Sequence, residues 1–175
     1  GAVRLVSAEA SHKSDVGGVK LALVGPARVR KGFEDLEKVA RGMGISGEVR
    51  VLMQPMVDGG LEMILGARRD DTFGPAVLVG LGGVFVEVFR DTSLRLVPFE
   101  AGDADLMLRR LKAYPLLAGV RGQRPRDIDA LKKGLEALGR LMLAFPEIRE
   151  LDVNPILLGR EGEGSQVVDA RVFID

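Results

Sequence analysis

Along the chain, apolar positions switch between a spacing of two and a spacing of three to four, and the switches mark out the elements. Ala2–Val6 reads as a strand. In VKLALV (19–24), Val19, Leu21 and Leu23 alternate, which predicts a strand stopped by Gly25-Pro26. From Val29, the residues Phe33, Leu36, Ala40 and Met43 recur at helical steps, predicting an amphipathic helix closed by Gly42 and Gly44. EVRVLMQPMV (48–57) predicts a strand whose Pro55, unable to donate to a ladder, belongs at an edge or bend. Asp58-Gly59-Gly60 is a turn, and LEMILGARR (61–69) is the strand expected to return from it.

Further on, AVLVGL (76–81) is continuously apolar, as a buried strand would be. Gly82-Gly83 turns it into VFVEVF (84–89), and Arg95–Pro98 reads as another short strand. Asp103 stands where it would cap a helix carrying Leu106, Met107 and Leu111. Asp127 stands likewise before a longer one with Ile128, Leu131, Leu135, Leu138, Met142 and Phe145. Two more strands follow, IRELDVNPILL (148–158) and SQVVDARVFI (165–174), joined by the turn-rich GREGEG. Strands and helices mix without strict βαβ repetition, and short turns join neighbouring strands. The pattern predicts an α+β fold with antiparallel sheet, and a lobe boundary within 45–60.

Composition narrows this picture. A chain of 175 residues suits one compact domain or two small lobes sharing a cleft. Its 46% hydrophobic and 29% charged residues argue against disorder. Lys plus Arg (25) balance Asp plus Glu (25), so charge gives no reason to expect nucleic acid or membrane as a partner. With 0 Cys there is neither a disulfide framework nor a thiolate zinc site, which fits the cytoplasm. No apolar run reaches the roughly 18 residues of a membrane span.

The candidate chemistry lies in carboxylates set among apolar neighbours. Glu87 shares a strand face with Phe85 and Phe89, and Asp169 sits within VVDARVFI. Asp152 and Asn154 share one face of their strand while Leu151 and Val153 share the other. A carboxylate in such a place must be paired, hydrogen-bonded or holding a cation. Solvent-facing positions on edge strands, or pairing with Arg or Lys, would account for any one of them. Taken together, Asp152, Asn154 and Asp169 point as readily to hard oxygen ligands for Mg²⁺. Gly80-Leu81-Gly82-Gly83 could let backbone amides approach a phosphate, but glycine turns use the same freedom and are the better reading. SHKSDVGGVKLAL (11–23) offers a cation, two hydroxyls, paired glycines and the chain's one histidine, His12. Such a loop can wrap phosphate, with the imidazole as contact or nucleophile, although a loop histidine is more often a polar surface residue.

These stretches occur together and in order. SHKSDVGGVKLAL, MVDGGLEMILGARRDDTFGPAVLVGLGGVFVEVFRD, LLAGVRGQ and PEIRELDVNPILL closely resemble successive motifs of the ATP-grasp domain of NDP-forming acyl-CoA synthetases. That family includes the β subunit of ADP-forming acetyl-CoA synthetase and is related to the β subunit of succinyl-CoA synthetase. The likeness spans essentially the whole chain. DVNP alone is weak, while FGP…GLGG…VEV combined with HKSDVGGV is highly specific. The resemblance implies an ATP-grasp fold that holds nucleotide between two α+β lobes. Residues 1–56 would form part of the small lobe, and 57–175 the large lobe with the metal site. It implies ATP or ADP and Mg²⁺ as cofactors. Gln54, Met56 and Val57 would form the hinge that meets adenine through its backbone, and Glu62 would meet the ribose. Arg4, Lys13, Gly17 and Gly18 would face the phosphates. Asn154 and Asp169 would hold Mg²⁺ with Asp152 beside them, and His12 would accept or relay phosphate. For Glu87, a structural and a metal-water role are both open.

The implied reaction is acyl-CoA + ADP + phosphate ⇌ acid + CoA + ATP, passing through a phosphohistidine on a CoA-binding ligase domain or α subunit. The chain is therefore expected to be one piece of a longer or multi-subunit enzyme, and not to make acyl-CoA alone. Arg4 stands where the family usually has lysine, which keeps the charge but replaces a point cation with a fork. A ligase-like regulatory domain fused to a protein lysine acetyltransferase would show the same motifs, and retention of His12 favours the enzyme.

Overall fold

A computed structural model describes residues 2–6, 17–45, 49–57, 59–83, 90–100, 102–120 and 122–175, with the backbone alone at 4–6. The chain divides into two compact units, Gly1–Asp58 and Gly59–Asp175.

In the first unit, β1 (Ala2–Val6), β2 (Val19–Lys20) and β3 (Arg50–Gln54) form an antiparallel sheet in the order β2-β1-β3. Helix α1 (Pro26–Gly42) packs on it, with Pro26 opening the first turn, where a missing N–H costs nothing. The expected strand over 19–24 stops at Lys20. Ala22 takes a positive φ of 56°, which breaks the ladder and leaves Leu21 and Val24 exposed. Leu23 still packs inward, because α1 comes so close at Gly32 that a Cβ there would meet Leu23 Cδ1 at 2.7 Å. The buried face of α1 is thus Gly32, Leu36 and Ala40, and not the expected Phe33, Leu36, Ala40 and Met43. A glycine supplies the close contact, and no apolar spacing rule marks a glycine.

Among the described residues, the second unit is a 6-stranded antiparallel sheet covered on one face by helices. Its strands are β4 (Leu61–Asp70), β5 (Gly74–Leu81), β6 (Thr92–Leu96), β7 (Ile148–Leu158), β8 (Ser165–Val167) and β9 (Ala170–Ile174). The order is β6-β5-β4-β7-β8, with β9 also paired to β7. Met63, Leu65 and Ala67 of β4, Val77 and Val79 of β5, and Leu151 and Val153 of β7 face one buried layer. Against it lie α2 (Asp103–Arg109), α3 (Tyr114–Ala118) and α4 (Ile128–Ala144), whose Met107, Leu108, Leu117, Leu131, Leu135 and Met142 complete the core.

Three expectations change here. β4 does not return along β3: it ladders with β5 and β7, while β3 ladders with β1. Pro55 ends β3, and the apolar face of β4 belongs to the larger core. Asp103 does not cap its helix by side chain but is the first helical residue. It is buried, takes the Glu100 N–H at 2.8 Å and pairs with Arg95 at 2.6 Å. The strand expected over 165–174 is broken at Val168-Asp169 into β8 and β9. Asp127 caps α4 as expected, accepting the Ala130 N–H at 3.0 Å. Among the described residues no helix is long and apolar enough to cross a membrane.

Candidate functional site

The break between β8 and β9 is where the sequence's polar set comes together. β8 pairs with Ile156–Leu158 of β7, and β9 pairs with Ile148–Val153, so the gap lies opposite Asn154-Pro155. On the other side of β7 the register with β4 shifts at the same level, between Met63 and Leu65. Pro155 has no N–H to donate, so a regular ladder cannot run through it. The irregularity lets Val153 and Ile156 both reach the core, three residues apart, and leaves Asp152 and Asn154 on the face away from the helices.

Asp169 is fixed in the gap. Its carbonyl accepts the Asn154 N–H at 3.1 Å, and its carboxylate accepts the Ala170 N–H at 3.0 Å. The Pro155 carbonyl accepts the Val168 N–H at 3.0 Å and closes the same turn. Asp152 lies across from Gly66 on β4 and from Arg171 on β9. Gly66 leaves space on one side, and Arg171 puts a cation on the other. Burial pushes the Asp152 carboxyl above its ordinary value; Arg171 pulls it back, and Glu150 and Asp169 add to the rise. Arg171 also approaches Asp169, Nε to Oδ2, at 4.0 Å.

Two carboxylates and one amide therefore lie together, Asp152 and Asn154 on β7 and Asp169 in the break between β8 and β9. Among the described residues no group of three or more His, Cys, Asp or Glu side chains could hold a metal by itself. Such a donor set fits Mg²⁺, which keeps several waters and commonly takes one or two carboxylates together with substrate phosphates. It would not make a closed calcium or zinc cage.

A second feature of this unit is the contact between Glu62 and the glycine turn. The Gly82 N–H donates to the Glu62 carbonyl at 2.7 Å. A Cβ on Gly82 would fall 2.8 Å from the Glu62 carbonyl carbon, and one on Gly83 would fall 2.7 Å from Oε2. Gly83 also has a positive φ of 69°. These glycines hold β4 and Glu62 in place, a packing role beyond the simple turn expected of them.

Asp152, Asn154 and Asp169 are thus brought together. Glu62 stands on the same sheet, opposite Leu157, three positions along β7 from Asn154. Gln54 ends β3 in the first unit, and Met56 and Val57 follow it half-buried. Gly17 has a positive φ of 74°, and Gly18 is buried just before β2. The Arg4 backbone lies in β1, paired with Val19 and Leu52. His12, Lys13, Glu87 and the Arg4 side chain lie outside the described residues. Sequence reasoning passed over Arg171, although a cation two residues after Asp169 in VVDAR was the available signal.

The ATP-grasp domain family matches residues 1–174 of the chain. The β subunit of acetate–CoA ligase [ADP-forming] II from Pyrococcus furiosus is 39% identical over 175 residues, covering 99% of this chain and 74% of that subunit. The 4-hydroxybutyrate–CoA ligase [ADP-forming] of Nitrosopumilus maritimus is 39% identical over 171 residues, 97% of this chain. This chain spans only 24% of that longer ligase. Among solved structures, Ca. Korarchaeum cryptofilum dinucleotide-forming acetyl-coenzyme A synthetase 1 superposes with a TM-score of 0.84 at 41% identity, covering 100% of this chain and 76% of that one. It was solved with coenzyme A and Mg-AMPPCP, its phosphohistidine segment pointing towards the nucleotide-binding site.

Proposed function

This chain belongs to the ATP-grasp domain family, and on that footing we propose that it is the nucleotide-handling, phosphoryl-transfer part of an ADP-forming acyl-CoA ligase. The observation that carries the reading is full-length likeness to β subunits of that class, combined with an Asp152–Asn154–Asp169 donor set suited to Mg²⁺. The partner is a CoA-binding ligase domain or α subunit, and the assembly works in the cytoplasm.

The reaction divides into three balanced steps. Phosphate attacks acyl-CoA on the ligase part, releasing CoA and forming acyl phosphate. A histidine of that part takes the phosphoryl group and releases the acid. ADP then takes the phosphoryl group from phosphohistidine, giving ATP and free histidine. The chain's residues serve the last step. Residues 1–56 contribute to the small lobe and 57–175 to the large one. The backbone at Gln54, Met56 and Val57 meets the adenine edge, and Glu62 meets the ribose. Arg4, Lys13, Gly17 and Gly18 orient phosphate oxygens, and His12 contacts or relays the transferring group. Asp152, Asn154 and Asp169 hold Mg²⁺, which when bound supplies charge neutralisation for the phosphates.

The test is acid-labile labelling of the assembly with [γ-³²P]ATP and Mg²⁺, alongside acyl-CoA-dependent ATP formation from ADP and phosphate. The reading expects both in the full assembly and neither from this chain alone. Neither ATP formation nor labelling in the assembly would overturn it. Undiminished labelling in His12→Ala would remove His12 from the relay.

A further inference from the structure

Resting on the metal-site reading above, the geometry points to Arg171 as a built-in counter-ion that makes cation binding at Asp152 and Asp169 depend on nucleotide. Arg171 stands directly across the β7–β9 ladder from Asp152, and directly opposed residues in antiparallel strands share a face. Its Nε lies 4.0 Å from Asp169 Oδ2. One guanidinium therefore serves two carboxylates that would otherwise repel each other. Both side chains are partly withdrawn from water, Arg171 at 35% and Asp169 at 23% exposure, so solvent does not fully screen the interaction. On the other side of Asp152 the position is Gly66, which offers neither charge nor bulk. A bulge on β4 and β7 and the β8–β9 break lie at the same level, so the three charges sit where the sheet departs from regularity.

The consequence is a charge count. Asp152 and Asp169 would present two carboxylates to a divalent cation, with Glu150 adding its negative field at Asp152, and Arg171 offsets one of these charges. Phosphate oxygens bring negative charge of their own and give the guanidinium a second partner that suits its fork. A nucleotide thus relieves the penalty that Arg171 places on the bare cation. Metal and nucleotide bind with positive coupling, and the coupling works equally in both directions.

The test is titration of the full chain with Mn²⁺, followed by electron paramagnetic resonance of the free ion, with and without ADP at constant ionic strength. Arg171→Gln is expected to tighten nucleotide-free Mn²⁺ binding about three- to tenfold, and to lower the ratio of affinities with and without ADP by a similar factor. Arg171→Lys, which keeps the charge, should stay within about twofold of the parent in nucleotide-free affinity. Thermal melting of the variants shows whether the fold is intact, and Arg171→Met, which also removes the charge, carries the test if the glutamine variant unfolds. The expected result is the same tightening of nucleotide-free Mn²⁺ binding, and unchanged nucleotide-free affinity in the folded methionine variant overturns the role of Arg171. Unchanged nucleotide-free affinity in a folded Arg171→Gln chain overturns the role of Arg171 and leaves the metal site standing. No Mn²⁺ binding in any chain, with or without ADP, overturns the metal site itself.

Discussion

Glu62 lies against Gly83, so closely that a methyl group at Gly83 would sit 2.7 Å from the Glu62 carboxylate oxygen Oε2. The glycine turn and the acid that is proposed to meet the ribose therefore form one unit. Gly83→Ala should displace Glu62 and strain a backbone at φ 69°, lowering stability by about 1–2 kcal/mol. Gly82→Ala should cost more, about 1–3 kcal/mol, because the clash there is with the Glu62 backbone itself. Urea denaturation measures the stability, and a KM for ADP that rises in Gly83→Ala and in Glu62→Gln alike ties the turn to the nucleotide.

Asp152→Ala, Asn154→Ala and Asp169→Ala should each leave the fold intact, since none of the three belongs to the buried layer. Each should weaken Mg²⁺-dependent ADP binding, and for the carboxylates turnover of the assembly should fall on the order of a hundredfold. Calorimetric titration of ADP with and without Mg²⁺ separates loss of metal from loss of nucleotide. A variant that loses ADP binding equally in both conditions would count against its role as a ligand.

Asp127 holds α4 and the 159–164 loop together, accepting N–H groups from Ala130, Gly162 and Gly164 at 3.0, 3.0 and 2.9 Å. Those amides, Ala130 and Gly164 foremost, hold its carboxyl below the ordinary value of 3.8. A carboxyl lowered on folding favours the folded state above its ordinary value, and the gain is lost as pH falls through the folded value. Asp127→Ala should cost about 1–2 kcal/mol at pH 7. The difference from the parent should shrink as pH falls below 3.8, measured as urea midpoints across the acid range.

Asp91 is a buried acid with no part in the proposed chemistry. Its two carboxylate oxygens accept the N–H groups of Lys112 and Ala113 at 2.8 and 2.7 Å. Asp91→Ala would leave both amides without that partner and should cost about 2–4 kcal/mol. Asp91→Asn, which keeps one acceptor oxygen, should cost less. Thermal melting distinguishes the two.

Much of the fold could be read along the chain because local rules governed it. Asp127 followed by leucines at helical steps gave α4 and its cap, since the cap and the apolar stripe belong to one short segment. The alternation Leu151, Asp152, Val153, Asn154 told which residues face the core and which face away. The short helix α3 carries no sequence signal, because its 5 residues are too few to establish a period. The strand over 19–24 is shorter than its alternation suggests, because Leu23 keeps its inward place through α1 at Gly32 rather than through a ladder.

By itself, then, the sequence determined the antiparallel α+β class, the long helices, the faces of the strands and the family, because each is written in neighbouring residues or in ordered motifs. Tertiary structure alone decided that β4 leaves β3 for β5 and β7, that 165–174 breaks at Asp169, and that Arg171 stands against Asp152. Strand partners and register depend on which surfaces bury most apolar area once the chain has closed on itself. The charge that shapes the candidate metal site comes from across a ladder, 19 positions along the chain between Asp152 and Arg171; VVDAR puts that cation near Asp169, but only the register sets it against Asp152.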